Sequence, residues 1–138
     1  MMTTFESSVR EINAPQTTVY ATLSDLQNLE RIKDRLPQDK VKDLTFDSDS
    51  VSASVSPVGS VSLRIVNREP HKCIKFETTN SPVPFNFWIQ LLPVTERTCK
   101  MKLTIKAELN PFIKGMVQKP LQEGIEKMAD ALQMFTYK

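Results

Sequence analysis

The chain has 138 residues, 40% of them hydrophobic and 25% charged, with a formal net charge of +2. That length suits a single domain, residues 1–138, with a substantial core of its own, and the composition is that of an ordinary globular fold. A charge so close to balance excludes a strong field for nucleic acid or a membrane surface, and no apolar run approaches the roughly 18 residues of a spanning helix, so stable membrane insertion is not expected.

The opening stretch "MMTTFESSVRE" has no apolar segment of the secretion-signal type, so a cytoplasmic location is the expectation. Two cysteines, Cys73 and Cys99, in such a chain predict free thiols. His71 is the single histidine. A His- or Cys-based metal centre is not expected, and no cofactor is.

In chain order, "TFESSVREI" (4–12) reads as a first strand. Pro15 stands where a first helical residue belongs, and Val19, Tyr20 and Leu23 give the short helix after it an apolar side. Ser24 and Gln27 have the spacing of a capping box for a second short helix, in which Leu26, Leu29, Ile32 and Leu36 recur and which Pro37 ends.

From about residue 39 to 108 the pattern is one of antiparallel strands. "KVKDLTF" is one. "SVSASVS" and "SVSLRIVNR" are joined by "SPVGS", which suits a type I turn followed by a glycine bulge. Pairing about that turn sets Val55 opposite Val61, Ala53 opposite Leu63 and Val51 opposite Ile65, so one face of the hairpin is apolar and the other mostly serine. "EPHK" and "NSPVP" are turns on either side of the strand "CIKFETT". In the last strand Cys99, Met101, Leu103, Ile105 and Ala107 share one face, while Lys100, Lys102, Thr104 and Lys106 share the other.

The strand 85–92 is ambiguous. A two-residue turn at Thr95–Glu96 points Trp88 and Gln90 inward, whereas an odd-length turn or a bulge points Phe85, Phe87 and Ile89 inward. The second is favoured, since the first sets large apolar groups beside lysines. If both faces are covered, the outer one is a subunit contact, most simply in a homodimer. Cys73 and Cys99 fall on strands separated by one other, about 10 Å apart, which is too far for a disulfide.

The segment "NPFIKGMVQKPLQEGIEKMADALQMF" (110–135) is a long amphipathic helix. Asn110 is a good N-cap and Pro111 a good first residue. Ile113, Val117, Leu121, Gly124, Ile125, Met128, Ala131, Leu132 and Phe135 fall within an arc of about 120°. Pro120 removes a backbone hydrogen bond and predicts a kink. Gly124 interrupts the apolar stripe, either to let a strand approach or to leave space beneath the helix.

One strand, two short helices, six antiparallel strands and a long C-terminal helix make an α+β chain in helix-grip order. "FESSVREINAPQTTVYATLSDLQNLERI" and "NPFIKGMVQKPLQEGIEKMADAL" resemble the START-like superfamily, which includes polyketide cyclases. The first carries that family's strand, alanine–proline, helix and following aspartate in Ile12, Ala14, Pro15, Val19, Leu23 and Asp25. The second carries its proline–leucine within the C-terminal helix. The resemblance implies a curved sheet of about seven strands, the long helix packed across it, and an apolar cavity between them for a lipid, quinone or polyketide-like molecule. Where many members have a tryptophan after the aspartate, Leu29 and Ile32 stand here.

The expected ligand-lining residues are Leu63, Ile65, Phe76, Phe87, Met101 and Leu103 from the sheet, and Val117, Leu121, Gly124 and Met128 from the helix. The expected partner is a small hydrophobic molecule, with no nucleic acid. No nucleophile–base pair and no phosphate loop is visible, so no catalytic residue is nominated. A cyclase or dehydratase would instead place Gln90, Thr78 or Glu77 in the cavity. A protein-interaction module of the co-chaperone kind would use the outer sheet face.

Overall fold

A computed structural model describes residues 2–36, 41–55 and 59–137. Among these residues, eight strands form one antiparallel sheet: β1 (Met2–Glu6), β2 (Arg10–Ile12), β3 (Val41–Phe46), β4 (Ser50–Val55), β5 (Gly59–Glu69), β6 (Cys73–Asn80), β7 (Phe85–Pro93) and β8 (Cys99–Glu108). Their order is β1-β8-β7-β6-β5-β4-β3, with β2 also on β8. Helix α1 (Gln16–Leu23) leads through a 3-10 turn (Leu26–Asn28) into α2 (Leu29–Ile32) and a second 3-10 turn (Lys33–Arg35). These short helices make up a strap, residues 16–36. Helix α3 (Pro111–Met134) closes the chain. This is the helix-grip arrangement.

The expected first strand is broken in two. Glu6 pairs with Thr104 and Arg10 with Met101, so four steps on one strand face three on the other. The extra residue is a β-bulge. Ser7 anchors it, its backbone N–H donating to the Leu103 carbonyl and its hydroxyl accepting from the Leu103 N–H, both at 2.9 Å. The bulge re-phases the alternation. Phe5 and Ile12, seven positions apart, are both buried, which an unbroken strand would forbid.

Two capping assignments shift. Pro15 is the N-cap of α1, extended at ψ 144°, with its carbonyl accepting from the Val19 N–H. Ser24 ends α1 rather than starting the next turn. Asp25 caps that turn, Oδ1 accepting from the Gln27 N–H at 3.0 Å. A carboxylate next to the turn takes the bond that the Ser24 hydroxyl was expected to take. Leu36 is extended at ψ 154°; Pro37, expected to end the helix, lies outside the described residues.

The β4–β5 hairpin keeps its faces but not its register. Val55 pairs with Gly59, Ala53 with Val61 and Val51 with Leu63, two residues away from the expected pairing. An even slip preserves which side chains share a face. Gly59 has φ +114° and lies in the strand, not in the turn; residues 56–58 of the expected turn lie outside the described residues.

The ambiguous strand is settled. Pro93 pairs with Cys99, leaving five residues between them, and Phe87, Ile89 and Leu91 are buried while Leu92 is 67% exposed. Both cysteines are free, on β6 and β8 with β7 between them.

Helix α3 is capped by Asn110, whose Oδ1 accepts from the Ile113 N–H at 2.8 Å, and it is continuous through Pro120. Pro120 cannot donate to the Met116 carbonyl, but Met116 is 60% exposed, so water reaches that turn. Its N-terminal half sends Val117, with Ile113 and Leu121 beside it, against Phe5, Ala107 and Leu109. Its C-terminal half sends Ile125, Ala129 and Leu132, followed by Phe135 just past its end, into the main core with Ile12, Val19, Ile74, Met101 and Leu103.

Candidate functional site: an apolar hollow beside the long helix

The main core does not close everywhere. A hollow of about 150 Å³ lies between the strap, the strands β3–β5 and the C-terminal half of α3. Leu26, Leu29 and Ile32 of the strap form one wall, and Val51, Ala53 and Val55 with Val61 and Leu63 form the opposite one. Phe76, Phe87 and Ile89 lie between the two walls, with Met128 and Leu132 from α3. Seventeen of its nineteen lining residues are apolar; Thr22 and Asp25 are the exceptions. Neither polar side chain is idle: the Thr22 hydroxyl donates to the Thr18 carbonyl, and Asp25 caps its turn.

The small inner residues of β4 make this space. Val51, Ala53 and Val55 alternate with Ser52 and Ser54 and reach less far than the phenylalanines of β6 and β7. On β3 a second bulge helps. Lys42 pairs with Ser54 and Thr45 with Ser52, with Asp43 at φ +55°, a left-handed conformation that aspartate tolerates. The bulge lets Val41 and Leu44, three apart, both face the hollow.

Four of the ten expected lining residues line it: Leu63, Phe76, Phe87 and Met128. Ile65, Met101 and Leu103 are buried in the main core instead, and Val117 and Leu121 belong to the second cluster under the helix's N-terminal half. Gly124 belongs to neither wall. A Cβ built there meets nothing within 4 Å, so no strand approaches it closely. Sequence reasoning missed the strap residues Leu26, Leu29 and Ile32 and the β4 residues. The available signal was the run of small inward side chains from Val51 to Val55.

The polar groups nominated for a cyclase-like reaction lie elsewhere. Gln90 faces outward, its Oε1 accepting from Thr104 Oγ1 at 2.9 Å. Glu77 is exposed. Thr78 Oγ1 accepts from the Phe85 N–H. His71 is exposed in a turn at φ +68°, edge-on to Tyr20. Asp47 accepts from the Asp49 and Ser50 N–H groups and the Ser50 hydroxyl, which hold its carboxyl below the usual range. Burial pushes both cysteine thiols up, away from the thiolate that nucleophilic chemistry needs. Among the described residues no group of three His, Cys, Asp or Glu side chains is placed to hold a metal ion.

The outer sheet face largely covers itself. Trp88 lies under Lys75 and Lys106, whose Nζ atoms are 5.5 and 5.8 Å from its ring, and Thr104 beside it is buried by its own chain. Among the described residues Leu92 (67% exposed) remains uncovered on the outside of β7, and the cover over Trp88 lends no support to a homodimer through that face. Among the described residues no helix is long and apolar enough to cross a membrane.

Two polar latches frame the hollow. Arg68 donates to the Ser24 carbonyl (3.0 and 3.1 Å) and to Asp49 Oδ1 (2.6 Å), and the Leu26 N–H donates to the Ser48 carbonyl (3.0 Å). These bonds tie the strap to β5 and the β3–β4 turn. On the other side Arg10 holds α3, bonding Glu126 at 3.0 Å, Gln133 at 3.2 Å and also Asp130. The Ser8 N–H, followed by Arg10, holds the Glu126 carboxyl below its ordinary range.

The fold has known counterparts. Norcoclaurine synthase from Thalictrum flavum superposes with a TM-score of 0.74 at 15% identity, over 96% of this chain and 85% of that one. A START superfamily protein from Mycobacterium smegmatis gives 0.69 at 14% identity, over 96% and 94%. A protein from Thermus thermophilus gives 0.67 at 21%, over 95% and 94%. At these identities the likeness is one of fold. No curated protein matches the sequence. The family described as polyketide cyclase / dehydrase and lipid transport matches residues 2–133, nearly the whole chain, and the chain belongs to that family.

Proposed function

We propose that the protein binds a small apolar group, of roughly the bulk of one ring or a six-carbon chain, in the hollow between the strap, β3–β5 and α3. The observation that carries this reading is the hollow itself: about 150 Å³, walled almost wholly by aliphatic and phenyl side chains. An apolar void of about this size stays dry and admits benzene. Transfer of the ligand from water supplies roughly 25 cal/mol per Å² of apolar surface buried, less the cost of association. Membership of a family that includes lipid transport supports the same reading.

The test is titration with benzene or hexane while following thermal unfolding. Ligand at about 100 times Kd stabilises by about 2.7 kcal/mol. Ala53→Leu, which pushes three further carbons into the hollow, should weaken binding at least tenfold while leaving the fold intact. A wild-type protein whose unfolding is indifferent to saturating hydrocarbon would end the proposal, and so would a folded Ala53→Leu variant that binds as before. Mass spectrometry of an organic extract of the purified protein identifies any natural occupant.

A further inference from the structure

Beside the hollow lies a second recess of about 450 Å³, between the end of the strap and β3. The two share Leu36, Val41 and Leu44. Their other residues differ sharply in chemistry. The hollow is apolar. The recess adds Lys33, Asp34, Lys42 and Asp43, two cations and two anions. The neighbouring residues 37–40 lie outside the described part of the chain and are given no role.

We infer that the natural ligand is an amphiphile, with its apolar body in the hollow and a zwitterionic head in the recess, and that Leu36, Val41 and Leu44 line the passage between the two. This rests on the reading of the hollow as a binding site. The reason is complementarity. The hollow's lining holds one charged group, Asp25, whose Oδ1 caps its turn, and no cation, so a head carrying both signs would leave a charge uncompensated there, which is strongly disfavoured. The recess is partly open to water, and although Lys33 is bridged to Glu30 at 2.9 Å, Lys42 and Asp43 carry both signs there, so a head with both signs can meet an opposite charge at each end. A bare anion or a bare cation gains one attraction and one repulsion.

The β3 bulge supports the assignment from the backbone side. The same Asp43 at φ +55° that turns Val41 and Leu44 toward the hollow ends up, with Lys42, at the recess. One local irregularity therefore serves both chambers. Lys42 and Asp43 are both exposed, so each contributes a modest, salt-screened preference.

The experiment is a matched series with a six-carbon body, in which hexane, hexylamine, hexanoate and hexylphosphocholine are titrated into the purified protein at low salt. Hexylphosphocholine should bind about five- to tenfold more tightly than hexylamine or hexanoate, since each exposed ion pair contributes up to about fivefold. Lys42→Gln should raise the affinity ratio of hexylamine to hexanoate several-fold. Asp43→Asn, which keeps a side chain suited to a left-handed backbone, should lower that ratio by a similar factor. If hexane binds but the three heads bind alike and neither variant moves the ratio, the head site is overturned and the hollow stands. If hexane and every headed ligand fail to bind, the hollow reading falls and this inference with it.

Discussion

Gly124 shows how one residue can be read correctly by type and wrongly by purpose. It sits in the helix's apolar arc, as its spacing requires, and it is neither a point of close strand approach nor part of the hollow's wall. Its Cβ direction is open, so the usual helix penalty of glycine applies with nothing to offset it. Gly124→Ala should therefore raise stability by about 0.5–1 kcal/mol, read from the urea midpoint at constant m-value. A drop in midpoint would mean that a side chain does press on that part of the helix. Met128, one turn further on, does line the hollow, and there an unbranched, flexible side chain suits a wall that must adapt to its occupant.

At the scale of elements, the seating of α3 depends on β2 as much as on apolar packing. The bulge at Ser7 puts Arg10 on the same face as its partner Met101, under the helix, where its side chain is 15% exposed and meets Glu126, Asp130 and Gln133. Both carboxylates are more exposed than the arginine, so screening limits what the cluster contributes. Arg10→Met should lower stability by about 1–2 kcal/mol at neutral pH. The sign of its pH dependence follows from Glu126. That carboxyl is held below its ordinary value of 4.5, first by the Ser8 N–H and then by Arg10. Its stabilising contribution is thus complete above about pH 4.5 and fades as pH falls through the lower folded value. The gap between wild type and Arg10→Met should narrow below about pH 4 in a urea–pH series. A gap that stayed constant down to about pH 3 would show that the arginine acts through packing and its neutral acceptors, Gln133 and the Glu126 carbonyl, and not through the carboxylates.

The elements were legible in the sequence where periodicity alone decides them. Side-chain parity survived a two-residue error in the β4–β5 register, because parity is blind to even slips. It failed at Ser7 and Asp43, where a bulge adds one residue and reverses the faces beyond it. The clue was present at the first of these. Phe5 and Ile12 are both large and apolar yet an odd number of positions apart, and both cannot face inward from one regular strand. Ala129, fully buried on α3, was missed because at 100° per residue it lies about 40° outside the apolar arc, beyond Ile125.

At the scale of the whole molecule, the hollow follows from a mismatch of widths. With β1 and β2 sharing an edge, the sheet is seven strands wide, or about 29 Å at 4.8 Å per strand. A helix covers about 10 Å, and α3 sits over β1, β2 and β8. The strap must cover the remainder, and it is made of short helices joined by 3-10 turns. The sequence identified the inward faces but not which part of them each helix covers, so expected lining residues such as Met101 and Leu103 proved to be core. The gap opens instead where the strap and the small β4 side chains meet. Among the described residues, the bonds that hold the strap there include those of Arg68 to Ser24 and Asp49 and of Leu26 to Ser48. Arg68→Met keeps the apolar stem and removes every donor. Because Arg68 and Asp49 are both well exposed, global stability should fall by no more than about 1 kcal/mol. Local opening of the strap should rise by more. Amide hydrogen exchange at Leu26, whose N–H bonds Ser48, should speed up several-fold, while exchange at Leu103 in β8, paired on both sides and away from the strap, should track only the global change. A bound hydrocarbon should leave correspondingly faster, in NMR line shapes, with a smaller change in Kd because entry quickens too. Equal acceleration at Leu26 and Leu103 would mean that the strap opens only when the whole sheet does, and the hollow would then have no door of its own.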